Sequence, residues 1–253
     1  MPENVIQKII IVGATSGLGR RLAELYAEEG CHVGIIGRRE NLLTEIQQKY
    51  PGQVFIKRAD IKDENISAAI TALIMEMGSA DMIIITASII NFNESLSTEH
   101  EIETTNINVK GYLNVLTTAW HYFKQKGGGH IVGVTSIAAA RGNKMAPAYH
   151  ASKAFQSVYL ESLRIKAKHE KNNITITEII PGYIDTEMGK GDRLFWVASV
   201  DKAASLTKKA IAKKKSRVFI PGKWGFIYRL QKFLPTFIYD RLVNGTWKLK
   251  TKT

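Results

Sequence analysis

The amino-acid sequence predicts an α/β fold, a doubly wound parallel sheet of about seven strands with a basic, aromatic helical extension at its C-terminal end. Three observations carry this. Short β-branched runs alternate with longer segments of helical apolar spacing along most of the chain. The strand runs are apolar on both faces, as strands covered by helices on each side must be. A glycine-rich turn, Gly13-Ala14-Thr15-Ser16-Gly17-Leu18-Gly19, stands between the first strand and the first helix.

Taken in order, IIIV (9–12) reads as the first strand. Gly17 to Glu29 is a helix, because Leu18, Leu22, Leu25 and Tyr26 share one face. HVGII (32–36) is the second strand and Glu40 to Tyr50 the second helix; QVFIK (53–57), a helix over 63–77 and DMIII (81–85) continue the alternation. Two helices cover roughly 98–125, HIVGVT (130–135) is the fifth strand, and a long helix starts near Tyr149. ITITEII (174–180) and RVFI (217–220) complete the sheet. Beyond it, Trp224, Ile227, Tyr228, Leu230, Leu234, Phe237, Ile238 and Leu242 recur at helical spacing, and Pro235 marks the start of a second short helix.

A chain of 253 residues, 45% hydrophobic and 23% charged, suits one domain with a substantial core. The reading is a domain over 1–222, with a segment at about 187–200 that lacks strong periodicity and contains two glycines, and an extension over 223–253. A single cysteine, Cys31, excludes an intramolecular disulfide and a cysteine-based metal cluster. Its apolar setting predicts a buried thiol and fits a reducing compartment. No apolar run approaches the roughly 18 residues that span a bilayer, and MPENVIQK lacks the pattern of a secretory signal. The expected location is cytoplasmic, with any membrane contact made from the surface. No metal ligand set stands out.

Charge is unevenly placed. From Lys190 to the end there are 16 Lys and Arg against three acids, Asp192, Asp201 and Asp240, a sum of +13. The whole chain is +12, so residues 1–189 total −1. The basic excess belongs to the last quarter.

The glycine turn is where chemistry enters. Glycines let the backbone approach a pyrophosphate closely, while helix N–H groups and the helix dipole favour the anion. An ordinary strand-to-helix connection is the alternative for such a turn alone; its place after the first strand and before an amphipathic helix favours nucleotide binding. The spacing G-x-x-x-G-x-G resembles the nucleotide loop of the short-chain dehydrogenase/reductases, single-domain proteins with a Rossmann fold. Four further motifs agree in order. Tyr149-His150-Ala151-Ser152-Lys153 places Tyr149 and Lys153 one helical turn apart. Ser136 ends the fifth strand thirteen residues before Tyr149, Asn108 lies in the helix asparagine motif, and Pro181-Gly182 precedes Thr186. Each residue alone has a plain reading as a strand cap, a polar helix residue or a half-buried aromatic. Jointly they resemble the family.

The resemblance implies hydride transfer between NADP(H) and a carbonyl or alcohol carbon, with Asn108, Ser136, Tyr149 and Lys153 as catalytic residues. Reduction of a carbonyl leaves an alkoxide, so a proton donor must sit beside the oxygen. The Lys153 ammonium is expected to lower the Tyr149 pKa from its ordinary value near 10, and Ser136 to stabilise the developing charge. Asn108 is implied to hold a water that relays protons to Lys153. The implied cofactor contacts are Gly13, Thr15, Ser16, Gly17, Leu18, Gly19, Arg38, Arg39, Asp60, Ile61, Thr86, Ala87, Ser88, Tyr149, Lys153, Pro181, Gly182, Ile184 and Thr186. Gly37-Arg38-Arg39 has no acid where NAD-linked relatives hold the ribose, and an arginine there pairs with a 2′-phosphate; NADP(H) follows. One of the two arginines is expected to be solvated. Thr86-Ala87-Ser88 departs from the family's Asn-Ala-Gly and leaves the local geometry open.

Two questions stay open in the tail. The resemblance implies that 187–200 is a substrate-covering loop, in which Phe195 and Trp196 either wall a substrate or pack the loop onto the core. The basic amphipathic helices either meet an anionic membrane surface or pack on the domain or between subunits of a homodimer or homotetramer. Nucleic acid is not expected, since no reader motif is present. The expected substrate is a small carbonyl or alcohol compound, apolar and lipid-like in character. A non-catalytic NADP(H)-binding sensor or scaffold is the alternative from another class, and a purely structural membrane-surface protein is the third.

Overall fold

The computed structural model describes residues 6–186 and 195–246. Seven parallel strands form one sheet: β1 (Lys8–Val12), β2 (His32–Gly37), β3 (Val54–Arg58), β4 (Met82–Ile85), β5 (Gly129–Val134), β6 (Ile174–Pro181) and β7 (Arg217–Ile220), in the order β3-β2-β1-β4-β5-β6-β7. The side-chain period of a strand is two, and β1 shows what that means for a sheet buried on both sides. Ile9 and Ile11 enter one apolar cluster, with α1 (Gly17–Glu28) and α7 (Val200–Ala212), while Ile10 and Val12 enter the other, with α3 (Ile66–Glu76) and α5 (Tyr112–Lys126). All four are at most 1% exposed, and full burial of each such side chain stabilises the fold by roughly 1.5–3 kcal/mol.

The remaining helices are α2 (Glu40–Lys49), α4 (Thr98–Thr105), α6 (Pro147–His169), α8 (Trp224–Phe233) and α9 (Thr236–Thr246). α6 begins two residues before the expected start, with Pro147 in its first turn, where a missing N–H costs nothing. α3 starts at Ile66 rather than 63, because residues 63–66 close a turn in which Ile66 N donates to the Asp63 carbonyl. The expected pair of helices over 98–125 is nearly continuous: a π-helical turn, Asn106–Gly111, joins α4 to α5. Pro235 precedes α9, its carbonyl accepting from Ile238 N and Tyr239 N.

The chain leaves β1 toward β2 and β3 on one side and returns through β4 on the other. That reversal opens a crevice above the C-terminal strand ends between β1 and β4, the usual ligand position in such sheets. Among the described residues, no helix is long and apolar enough to cross a membrane. Cys31 is buried, and burial pushes its thiol up.

Candidate active site

The crevice is the mouth of a cavity of about 2250 Å³, well above the roughly 300–1,000 Å³ of a pocket for one drug-sized ligand. It has room for a dinucleotide and a second molecule. Gly13, Thr15, Ser16, Gly17, Leu18 and Gly19 line one end, with Arg38, Arg39, Asp60, Ile61, Thr86, Ala87 and Ser88 around them. Gly13 has φ +98°, and a Cβ there would stand 2.4 Å from Ala87 N, so only glycine lets β1 turn this closely against the end of β4. Such a cradle of bare backbone at a helix start is what a pyrophosphate needs.

The two arginines differ. Arg39 reaches across the glycine turn, its Nη2 donating to Thr15 Oγ1 at 2.9 Å and Ser16 Oγ at 2.8 Å. Arg38 is exposed and stands 3.6 Å from Asp60 Oδ2. Gly37, at the strand end, cannot be replaced by an acid without rearrangement, because a Cβ there would meet Thr15 Cγ2 at 2.4 Å.

Thr86 Oγ1 donates to the carbonyls of Val12 and Gly13, at 3.1 and 3.0 Å, tying β4 to β1. Ser88 is not among the described residues with positive φ, so serine in place of glycine carries no left-handed strain. Its hydroxyl donates to Asn108 Oδ1 at 3.0 Å. At the far side of the crevice, Pro181, Gly182, Ile184 and Thr186 line the cavity, and Thr186 folds back over Gly17.

Ser136, Tyr149 and Lys153 line the middle of the same cavity, and Asn108 does not: it is fully buried behind the wall. Ser136 follows β5 and also caps a short 3-10 turn, accepting from Ala138 N at 3.1 Å. Burial pushes the Tyr149 phenol up, while the Ser136 hydroxyl pulls it down. The net direction is upward, opposite to the expected lowering. Lys153 Nζ, 5.7 Å from the Tyr149 ring centre, is itself pushed down to about 7 by burial, and donates to Gln156 Oε1 at 3.0 Å. The Asn108 carbonyl accepts from Gln156 Nε2 at 2.7 Å. A side-chain amide, that of Gln156, thus joins the Asn108 main-chain carbonyl to Lys153 directly. Sequence reading missed Gln156: helix spacing places it beside Lys153 but says nothing of Asn108, 48 residues away.

Beside the polar Glu94, Arg141, Asn143 and Gln231, the cavity is also lined by the apolar Phe92, Met145, Phe195, Leu234, Leu242 and Val243. Three of these apolar residues belong to the tail. The tail is held down by Arg141, whose Nη1 donates to the carbonyls of Gln231 and Leu234, at 3.2 and 2.9 Å, and whose guanidinium stacks 4.5 Å from the Tyr239 ring. Tyr239 Oη in turn donates to the Gly142 carbonyl at 2.8 Å. Neither Arg141 nor Tyr239 carries a sequence signal. Phe195 lines the cavity, while Trp196 packs against Trp224 and under Lys223. Residues 187–194 and 247–253, hence most of the expected substrate loop and the terminal Trp247, Lys248, Lys250 and Lys252, lie outside the described residues.

A doubly wound sheet with a bare glycine cradle at its switch point, and a Ser–Tyr–Lys group in the same cavity, defines a nucleotide-binding oxidoreductase. Residues 7–194 match the family model for short chain dehydrogenases, and the chain belongs to that family. An uncharacterized oxidoreductase of Mycobacterium tuberculosis is 32% identical over 244 residues, covering 90% of this chain and 94% of its own. One from Myxococcus xanthus is 29% identical over 252 residues, covering 95% and 97%. A short-chain dehydrogenase of Sphingobium yanoikuyae, solved in complex with NADPH, has the same fold with a TM-score of 0.75 at 19% identity, covering 91% of this chain and 97% of that one. A Burkholderia phymatum short chain dehydrogenase/reductase, solved with NAD, superposes with a TM-score of 0.79 at 18% identity, covering 89% and 92%. The protein is an oxidoreductase of the short-chain type.

Proposed function

We propose that this protein is an NADP(H)-dependent reductase of an apolar carbonyl compound, or the corresponding alcohol dehydrogenase. The observation that carries the reading is the convergence of Ser136, Tyr149 and Lys153 on the cavity that the glycine cradle opens into. The cradle, Thr186 over Gly17, and Arg39 across the turn fit a dinucleotide, and Arg39 with Arg38 fits its 2′-phosphate. Bound there, the nicotinamide supplies or accepts the hydride.

The chain's own residues handle the oxygen and its proton. Tyr149, held neutral by burial, is a proton donor in the direction of reduction: its O–H bond breaks as the substrate oxygen takes the proton. Ser136 donates a hydrogen bond to the same oxygen as charge develops on it. Lys153, protonated, favours the phenolate that remains and so eases the transfer. The apolar residues of the lining, Phe92, Met145, Phe195, Leu234, Leu242 and Val243, favour a substrate with a hydrocarbon body.

For partners, the exposed stripe Phe226, Leu230, Phe233 and Phe237, flanked by Lys223, Arg229, Lys232 and Arg241, supports contact with an anionic membrane surface. Packing of the stripe in a homodimer or homotetramer is the competing reading. The test of the catalytic reading is oxidation of NADPH with a panel of ketones of graded chain length. Turnover that rises with apolar length supports it, and tight NADPH binding with no turnover on any ketone or alcohol would leave a nucleotide-binding sensor or scaffold.

A further inference from the structure

The element the mechanism leaves unused is the buried amide behind Lys153. Gln156 is completely buried and clamped at both ends: Nε2 donates to the Asn108 carbonyl at 2.7 Å, and Oε1 accepts from Lys153 Nζ at 3.0 Å. The amide's orientation is fixed, since a carbonyl accepts only and the amine must donate. Asn108 is itself rigid. Its Oδ1 accepts from Ser88 Oγ and from Ile89 N at 2.9 Å; its Nδ2 donates to the Ile89 carbonyl at 2.8 Å and to Ser152 Oγ at 3.1 Å. The π-helical turn carries Asn108 in its middle, and such local widenings of a helix often accompany functional sites.

We propose that Gln156 is a positioning residue that holds the Lys153 amine from behind, through the rigid Asn108 turn, so that its remaining protons face Tyr149 and the nucleotide. This rests on the catalytic reading above. Two consequences follow from the chemistry of an amide. Its oxygen carries partial negative charge, so it favours the ammonium against the burial that pushes Lys153 down to about 7. An amide does not release a proton near neutrality, so the Lys153–Gln156–Asn108 bridge anchors the amine without conducting protons. The groups around Nζ leave Gln156 little competition. Tyr149 is the titratable neighbour, on the same helix; β5 offers the Val134 carbonyl at 3.5 Å, and the π-helical turn the neutral Asn108. Burial is the cause that perturbs the lysine; no charged partner contributes.

The test measures the lysine directly in the full chain without cofactor. The 13Cε resonance of Lys153, assigned by its loss in Lys153→Arg, is titrated in wild type, Gln156→Leu and Gln156→Glu. Gln156→Leu removes the acceptor and is expected to lower the Lys153 midpoint by at least half a pH unit; Gln156→Glu, which adds a carboxylate beside the amine, is expected to raise it by about 1–3 units. If Gln156→Leu does not fold, Gln156→Met supplies the neutral arm. With NADPH and a ketone that wild type reduces, the acid-to-base inflection of kcat moves in the same two opposite directions while KM for the ketone changes less than twofold. Equal Lys153 midpoints in wild type and both folded variants would overturn the proposal. Wild-type protein that reduces no ketone would overturn the catalytic reading instead, and the titration would still judge Gln156.

Discussion

At the scale of single residues, Tyr149 and Arg39 carry the sharpest expectations. Tyr149→Phe removes the transferable proton, together with the phenol's contact to Ser136, and keeps the ring. Single-turnover NADPH oxidation is expected to fall below a few per cent of wild type, with NADPH binding within twofold by fluorescence titration; a rate near wild type would remove Tyr149 from the mechanism. Arg39→Ala is expected to weaken NADPH binding about tenfold to a hundredfold, the range of a charge-assisted hydrogen bond worth roughly 1.5–3 kcal/mol, and to leave NADH nearly unchanged. Arg38→Ala has the smaller effect, since Arg38 is 59% exposed and shared with Asp60. Equal losses for both cofactors would show that neither arginine reads the phosphate. These residues were legible in the sequence because their motifs are local: a turn, a strand end and one helix turn. The direction of the Tyr149 shift was not, because spacing reports proximity to Lys153 and says nothing of how deeply the pair is buried.

At the scale of elements, the sheet was legible and the tail only half so. Strands buried on both faces announce themselves by composition, and β1 to β7 fall within two residues of where the sequence puts them. An amphipathic helix shows that it has an apolar face without showing what that face covers. In α8, Trp224, Gly225 and Tyr228 pack inward, whereas Phe226, Leu230 and Phe233 point out, Phe233 at 85% exposure. Both faces are apolar, which is why packing and surface contact looked equally good. Arg141→Ala, which removes the two carbonyl contacts to the end of α8, is expected to raise KM for long ketones at least fivefold and that for NADPH less than twofold. Parallel rises would mean that the tail supports the whole fold rather than its part of the cavity wall. For the outer face, binding to anionic vesicles that weakens between low and high salt, and is lost in the pair Phe233→Ser and Phe237→Ser, is the outcome expected of membrane contact. A vesicle-blind protein whose double variant turns monomeric would assign the stripe to subunits.

At the scale of the whole molecule, the two apolar layers leave few polar groups inside, and His130 on β5 is one of them. Its Nε2 pairs with Thr177 Oγ1 at 2.8 Å, and burial, with Lys214 adding repulsion, holds it down at about 4. Above pH 6.5 the ring is neutral folded or unfolded, and it contributes nothing to pH dependence. As pH falls from 6.5 to 4 the unfolded chain takes up the proton first, so stability declines by about 3 kcal/mol and levels off below. His130→Gln is expected to flatten that part of the Tm profile; parallel profiles for the two proteins would place the acid sensitivity elsewhere. One consequence of the Arg141 contacts reaches further. The residues proposed for hydride chemistry sit on β1, β4, β5 and α6, whereas part of the cavity wall comes from the end of α8 and from α9, which Arg141 ties down through two main-chain carbonyls and one stacked ring, while Trp224 and Tyr228 bury the start of α8 in the domain. On the proposed reading, substrate preference is expected to follow the part of the wall that α8 and α9 supply. Grafting the segment after Gly222 from a relative onto this sheet is expected to carry the donor's ketone preference across while kcat on the smallest ketones stays that of the host.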